Sequence, residues 1–235
     1  MEKPLEGFEK DEIFVKNRLR PKDAATLVLV RRDADAPRVL MGRRHGSSAF
    51  MANKYVFPGG RVDACDLRLR SGGELKRSVR ERLLREVSET RGRGLALAAV
   101  RETFEETGIL VGERTSTVPR TKSAWAHFFA HGVVPKLEAL DYIARAVTPP
   151  NRPRRFDARF FMADASAIAA TLDAAHTDEL LTPCWLTFEE ARTLDVPVIT
   201  RAVLDEAEAR VNDTKVLRPV PFFHFVRGKS RVDYL

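Results

Sequence analysis

The chain has 235 residues, 44% of them hydrophobic and 31% charged, with 40 Lys and Arg against 33 Asp and Glu, a net charge of +7 and a pI near 9.7. That is the composition of a soluble globular protein long enough for a sizeable core, and its basic excess suits anionic partners (phosphorylated metabolites, nucleic acid or acidic membranes) without choosing among them. Two cysteines, Cys65 and Cys184, are too few for a disulfide framework or a thiolate metal site, no apolar run approaches the roughly 18 residues of a bilayer span, and no G-x-x-x-x-G-K-[ST] loop marks a P-loop nucleotide hydrolase.

Residues 1–22 are charged throughout and lack the apolar core of a secretory signal; they read as an N-terminal arm, with residues 23–235 forming one domain. Residues 25–30 are a continuous apolar run, as in a strand buried on both faces. A turn at Asp33-Ala34-Asp35-Ala36-Pro37 and the segment 38–41 complete a hairpin. Arg43, Arg44 and His45 lie at its exit, before the small-residue loop Gly46-Ser47-Ser48. Tyr55-Val56-Phe57 predicts a short strand running into Pro58-Gly59-Gly60, where missing Cβ atoms let backbone approach a ligand or another element closely. Residues 63–73 read as loop. Residues 74–91 carry Leu75, Val79, Leu83, Leu84 and Val87 at helical spacing, with Lys and Arg crowding the other face. That basic face is either solvated or a phosphate contact. Gly92-Arg93-Gly94 reads as a break before a second helix beginning near Leu95.

In that second helix Glu102, Glu105 and Glu106 stand at i, i+3 and i+4, so three carboxylates share one face. Mutual repulsion makes this a poor arrangement for folding alone, unless a hard divalent cation such as Mg2+ sits among the oxygens. The plainer alternative is a solvated acidic face in which Arg101 and Glu105 form an i,i+4 pair. Gly108 is placed for a left-handed cap. Residues 109–111 enter a strand or loop. Trp125, Phe128 and Phe129 form an aromatic stripe, read as core or as a wall for an apolar substrate tail. A strand over 142–147 ends at Pro149-Pro150, followed by the basic loop Arg152-Pro153-Arg154-Arg155 and a strand over 156–162. His176-Thr177-Asp178-Glu179 leads into a strand over 180–186, with helices over 188–193 and 198–211 separated by Pro197, and a last apolar strand over 219–226 before a charged tail. His127, His131 and His176 show no zinc-ligand spacing with Cys or Asp. This order of elements predicts an α/β fold, a mixed sheet flanked by helices on both faces.

Phe57-Pro58-Gly59-Gly60 followed by Arg101-Glu102-Thr103-Phe104-Glu105-Glu106-Thr107-Gly108-Ile109 resembles the Nudix hydrolase signature, with Thr103 in place of the usual apolar residue. The spacing departs from the family's: Gly60 to Arg101 is 41 positions where the pattern has 14, an excess of 27, so an insertion over about 61–94 splits the motif. The glutamate expected eight positions before the arginine falls on Arg93, which leaves Glu81, Glu86 or Glu89 as substitutes. The resemblance implies an α/β/α sandwich with a helical insertion inside the signature, and hydrolysis of a diphosphate linkage in a nucleoside diphosphate joined to another moiety. It implies Mg2+ or Mn2+ held by Glu102, Glu105 and Glu106, with a Gly59 or Gly60 carbonyl as a further ligand. Arg101 would orient the carboxylates, and the general base would be Glu102 or Glu179.

Within the family, the insertion, Phe50-Met51 and Arg155-Phe156-Asp157 look like the acyl-CoA diphosphatase branch, which cuts coenzyme A or acyl-CoA to 3',5'-ADP and a 4'-phosphopantetheine derivative. Of the pattern before the glycines in that branch, Leu40, Arg44 and Phe57 to Gly60 fit, Met41 is a mild change, and Gly42, His45, Ala49 and Asn53 depart. The expected substrate-binding residues are Arg43, Arg44, Phe57, Gly59, Gly60, Arg154 and Arg155, the arginines taking the extra 3'-phosphate through their guanidinium forks. ADP-ribose, NADH, dinucleoside polyphosphates and capped RNA are the competing substrates. The expected partner is a small nucleoside diphosphate derivative, with a homodimer left open, a cytoplasmic location and no membrane. Two other classes remain: a non-catalytic nucleotide sensor, and a nucleic-acid binder suggested by Phe222-Phe223-His224-Phe225 beside Arg227, Lys229 and Arg231. The sensor is disfavoured by three surviving glutamates. The binder is disfavoured because those aromatics read better as a core strand.

Overall fold

A computed structural model of the protein describes residues 19–47, 51–70, 72–150, 152–172, 180–214 and 217–235; most of the N-terminal arm, Phe50, His176 and Glu179 lie outside them. The apolar run becomes the centre of β1 (Lys22–Arg31). Its alternate side chains serve opposite cores: Ala25, Leu27 and Leu29 pack on one face of the sheet, Val28 and Val30 on the other. β2 (Arg38–Arg44) returns antiparallel but pairs with β1 only at Val30↔Val39 and Arg31↔Arg38 before diverging. The diglycine segment fills the wedge. β3 (Tyr55–Val56) pairs with β2, and β4 (Gly59–Arg61) pairs with the first half of β1 through Ala24↔Arg61, Ala25↔Gly60 and Thr26↔Gly59.

The insertion follows. Residues read as loop contain a short helix, α1 (Ala64–Arg68), and α2 (Arg77–Leu84) is only the middle of the helix expected over 74–91. The expected break at Gly92-Arg93-Gly94 is absent, because α3 (Glu89–Thr107) runs through both glycines. The real stop and start are chemical caps. The Ser88 hydroxyl accepts from the Arg91 amide, and Gly108 adopts the left-handed conformation at φ 71°. Gly94 is used for contact: a Cβ there would lie 2.6 Å from Leu67 Cδ2, so its absence lets α1 pack against α3. Each helical glycine costs about 1 kcal/mol relative to alanine, offset by a stretch from Leu95 to Val100 that is wholly buried.

β5 (Ile109–Arg114), α4 (Trp125–Phe129) and β6 (Val133–Pro135) come next, then β7 (Asp141–Val147), β8 (Phe156–Asp164) and β9 (Ile168–Thr171). The chain closes with β10 (Leu180–Thr187), α5 (Phe188–Thr193), α6 (Val198–Asn212), β11 (Pro221–Val226) and β12 (Lys229–Tyr234). The tail expected to follow the last strand is therefore itself a strand, turned back onto β11. The main sheet runs β10-β2-β1-β8-β7-β11-β12, with β1–β8 and β7–β11 parallel and the other pairs antiparallel. β6, β5 and β9 form a smaller sheet. Helix α3 and the insertion cover one face, α5 and α6 the other, as the α/β/α expectation requires. Among the described residues no helix is long and apolar enough to cross a membrane.

A buried ionic network fastens the insertion to the sheet. Glu86, just past α2, meets Arg145 at 3.0 Å on β7 and Arg159 at 3.3 Å on β8, and accepts from the Tyr142 hydroxyl at 3.2 Å. Asp157 binds both arginines at 2.8 Å, and Asp23 links Arg159 to Arg91 at the start of α3.

Candidate active site

Arg101 is the hub. Its side chain is 3% exposed, and its Nη1 donates to Glu102 at 2.9 Å and to Glu105 at 2.7 Å. Nε and Nη2 form a fork onto Asp66 at 2.9 Å each, and Nη2 also donates to the Arg61 carbonyl at 3.0 Å. Asp66 is completely enclosed. Its Oδ1 also accepts from Trp125 Nε1 at 2.9 Å, and its Oδ2 from the Asp63 amide at 2.8 Å. Burial alone would favour a neutral Arg101, but Asp66, Glu102 and Glu105 outweigh it and hold the guanidinium charged.

The acidic partner of Arg101 is thus Asp66, and none of Glu81, Glu86 and Glu89 takes that part. Glu81 pairs with Arg77 and Glu89 with Arg80 at the surface, while Glu86 is committed to Arg145 and Arg159. The family pattern already contained the answer. A glutamate eight positions before the arginine is also six after the second glycine, and six after Gly60 is Asp66. Counting back from Arg101 crosses the excess residues, which in this alignment follow Asp66 rather than beginning at about 61; counting forward from Gly60 does not.

The diglycine is seated directly against the carboxylates. Glu106 Oε2 accepts from the Gly59 amide at 2.9 Å. A Cβ on Gly60 would lie 2.4 Å from Glu102 Cδ, and one on Gly59 would lie 2.5 Å from the Ala25 carbonyl, so neither position has room for a side chain. Glu106 is buried, Glu102 and Glu105 half-buried. Desolvation, with Asp66 and Asp63 adding to it, raises the Glu105 carboxyl above its ordinary value despite Arg101.

Among the described residues no three acidic, histidine or cysteine side chains are drawn together as a ready ligand set, since Arg101 and the Gly59 amide hold the three glutamates. The donors nonetheless suit a hard divalent cation. They are all oxygen: Asp66, Glu102 and Glu105 surround a single buried guanidinium, and Asp63 and Glu106 line the same end of the adjoining cavity, leaving negative charge in excess. Removing Glu102 or Glu105 from Arg101 is a side-chain rotation, not a change of fold.

The carboxylates form one end of a cavity of about 1070 Å³. Of the arginines expected to bind substrate, Arg44 and Arg154 line it, joined by Arg61, Arg152 and Lys54, which were not singled out from sequence. Arg43 and Arg155 do not. Alternation along β2 turns Arg43 away from Arg44's side, and Arg155 is spent on the carbonyls of Thr148 and Leu19 at 3.1 and 2.7 Å. Phe57, Gly59 and Gly60 all line the cavity. The aromatic stripe of α4 is core: Trp125, Phe128 and Phe129 are buried and absent from the cavity wall, with Trp125 doubling as the donor to Asp66. Phe222 stacks on His224 at 4.3 Å and lies under Arg145, and Phe223 is buried, so that strand is built into the sheet as expected.

Comparison with known proteins places this geometry in context. The family model described as NUDIX domain matches residues 21–210. A Caenorhabditis elegans relative named nudix hydrolase 7 is 32% identical over 154 residues, which is 60% of this chain and 43% of that protein, so the chain spans less than half the length of this relative. The crystal structure of a NUDIX hydrolase from Alicyclobacillus acidocaldarius superposes with a TM-score of 0.64 at 27% identity, covering 83% of this chain and 96% of that one.

Proposed function

The chain belongs to the Nudix family, and from that premise we propose that it hydrolyses a diphosphate linkage in a nucleoside diphosphate joined to a second group, using Mg2+ or Mn2+. The observation that carries this reading is the surplus of carboxylates on one turn of α3, pressed against a diglycine that has no space for side chains, at the end of a cavity with five cationic side chains besides Arg101 in its wall. Glu102, Glu105 and Glu106 would hold the cation, with a Gly59 or Gly60 carbonyl as a further oxygen. When bound, the cation neutralises phosphate oxygens and lowers the pKa of water.

The chain's own residues do the remainder. Arg44, Arg61, Arg152, Arg154 and Lys54 draw the anionic substrate into the cavity and balance its charge. Arg101, anchored by Asp66, keeps Glu102 and Glu105 from swinging apart. Glu102 over Gly60 takes the proton from the attacking water, whose oxygen bonds to one phosphorus as the bridging P–O bond breaks, giving two phosphate monoesters. Glu179, the other base weighed from sequence, lies outside the described residues.

Coenzyme A or an acyl-CoA is the leading substrate, giving 3',5'-ADP and a 4'-phosphopantetheine derivative. Its support is the partial match of Leu40, Arg44, Phe57, Gly59 and Gly60 to that branch, together with a cavity just above the usual ligand-site range and several arginines in its wall that could meet a third phosphate. The test is hydrolysis of CoA, acyl-CoAs, ADP-ribose, NADH and dinucleoside polyphosphates with Mg2+ or Mn2+. Cleavage of CoA compounds supports both levels of the reading. Cleavage of another diphosphate keeps the chemistry and removes CoA. Metal-independent nucleotide binding with no cleavage makes the chain a sensor.

A further inference from the structure

The floor of the cavity has a pattern that catalysis does not explain. Pairing aligns Arg61 on β4 with Ala24 on β1, Ala24 with Ala158 on β8, Ala158 with Ala146 on β7, and Ala146 with Phe223 on β11. All five line the cavity. Three alanines in one row across three adjacent strands leave a trough. On β8, Phe160 stands two residues to one side of it and Phe156 two residues to the other, both on the same face by alternation and both in the cavity wall. Phe223 stands in the row itself and closes it, with Phe225 beside it. From β4 to β11 the row crosses four inter-strand steps of about 4.8 Å, or roughly 19 Å. It begins next to the diglycine, where the phosphates would lie, and ends at a hairpin outside the residues matched by the family model.

We propose, resting on the diphosphatase reading and in competition with coenzyme A as its substrate, that this row holds the group carried on the far phosphate, that this group is a narrow apolar chain, and that Phe223 and Phe225 of the terminal hairpin set its maximum length. The alanine methyls offer no donor or acceptor, so a nucleoside, a sugar or the two amides of a pantetheine arm laid there would lose hydrogen bonds to water without replacement. A straight chain loses none, and the row of alanines between Phe156 and Phe160 admits it lengthwise.

The test uses n-alkyl esters of adenosine 5'-diphosphate, from methyl to hexadecyl, with the full chain. Hydrolysis with Mg2+ is followed as kcat/KM, and binding by titration calorimetry without metal. Affinity rises about three- to fourfold per methylene until the trough is filled, then falls. Phe223→Ala moves the turning point to longer esters, and Ala158→Leu, which fills the floor, collapses the long-to-short ratio; melting curves confirm that each variant is folded. Cleavage or binding with no dependence on chain length overturns the proposal, as does a turning point that neither variant moves. A phenyl ester that outbinds alkyl esters of equal carbon number also overturns it. If nothing is cleaved while binding still shows the length dependence and its shift in Phe223→Ala, the diphosphatase reading fails and the trough stands.

Discussion

Asp66→Asn is the sharpest perturbation the structure offers. The carboxylate takes four N–H hydrogen bonds, two on each oxygen (Trp125 Nε1 and Arg101 Nε on Oδ1, the Asp63 amide and Arg101 Nη2 on Oδ2), and a weak fifth from the Cys65 thiol to Oδ1 at 3.9 Å. Every partner is a donor. Whichever way an asparagine amide turns, its NH2 group faces two N–H groups, so two hydrogen bonds become donor–donor contacts and the buried pair loses its charge. Breaking one side of a buried ion pair costs about 3–5 kcal/mol. Arg101 still has Glu102 and Glu105, which argues for the lower end, about 3 kcal/mol. For a domain of this size that is a fall of roughly 6–12 °C in Tm. The freed guanidinium also leans wholly on Glu102 and Glu105, so Mn2+ affinity, read by electron paramagnetic resonance, falls together with turnover. A variant that melts within 2 °C of the parent, or that loses stability while binding Mn2+ unchanged, refutes the claim that Asp66 positions this site.

Glu105→Gln and Glu106→Gln should each abolish metal-dependent turnover without unfolding the chain; full activity in either removes it from the ligand set, and a substrate screen with both variants decides. Gly60→Ala forces a methyl into the Glu102 carboxylate, and overpacking of this kind costs about 1–3 kcal/mol; a melt unchanged from the parent, with normal turnover, would show that β4 has slack. The Asp157 carboxyl gives a pH prediction. Burial would raise it, but hydrogen bonds from Arg145 and the charges of Arg159 and Arg145 hold it below its ordinary value of 3.8. Stability contributed by a depressed carboxyl is present above the unfolded value and lost as pH falls through 3.8 toward the folded one. Acid unfolding of Asp157→Asn should accordingly be flatter below about pH 4, and profiles that run parallel would contradict the pairing.

What the sequence disclosed and what it hid follow the range of the interactions involved. Strand β1 and the acidic turn of α3 are legible because period and charge spacing are local facts. The glycines at 92 and 94 misled because propensity counts them as breakers, whereas the packing of Leu67 over Gly94 is a tertiary contact no local rule contains. Asp66 was hidden by the insertion. Arg43 and Arg155 looked like phosphate ligands because they are basic and near the motif, yet strand alternation turns Arg43 away from the cavity and Arg155 donates to two backbone carbonyls outside its wall. The hairpin partner of β11 was missed because β12, Lys229–Tyr234, is a half-exposed strand whose polar residues resemble a solvated tail.

The split signature also has a price in chain entropy. Asp66 and Arg101 are 35 positions apart, where the family pattern separates the corresponding pair by eight. Closing the longer loop costs about 1.3 kcal/mol more, taking (3/2)RT ln of the length ratio. Trimming the insertion to the family spacing would recover that small sum, but it would also remove Glu86 and leave Arg145 and Arg159 short of a buried counter-charge. The detour in the chain has become a strut of the sheet, and a shorter protein would be a less stable one.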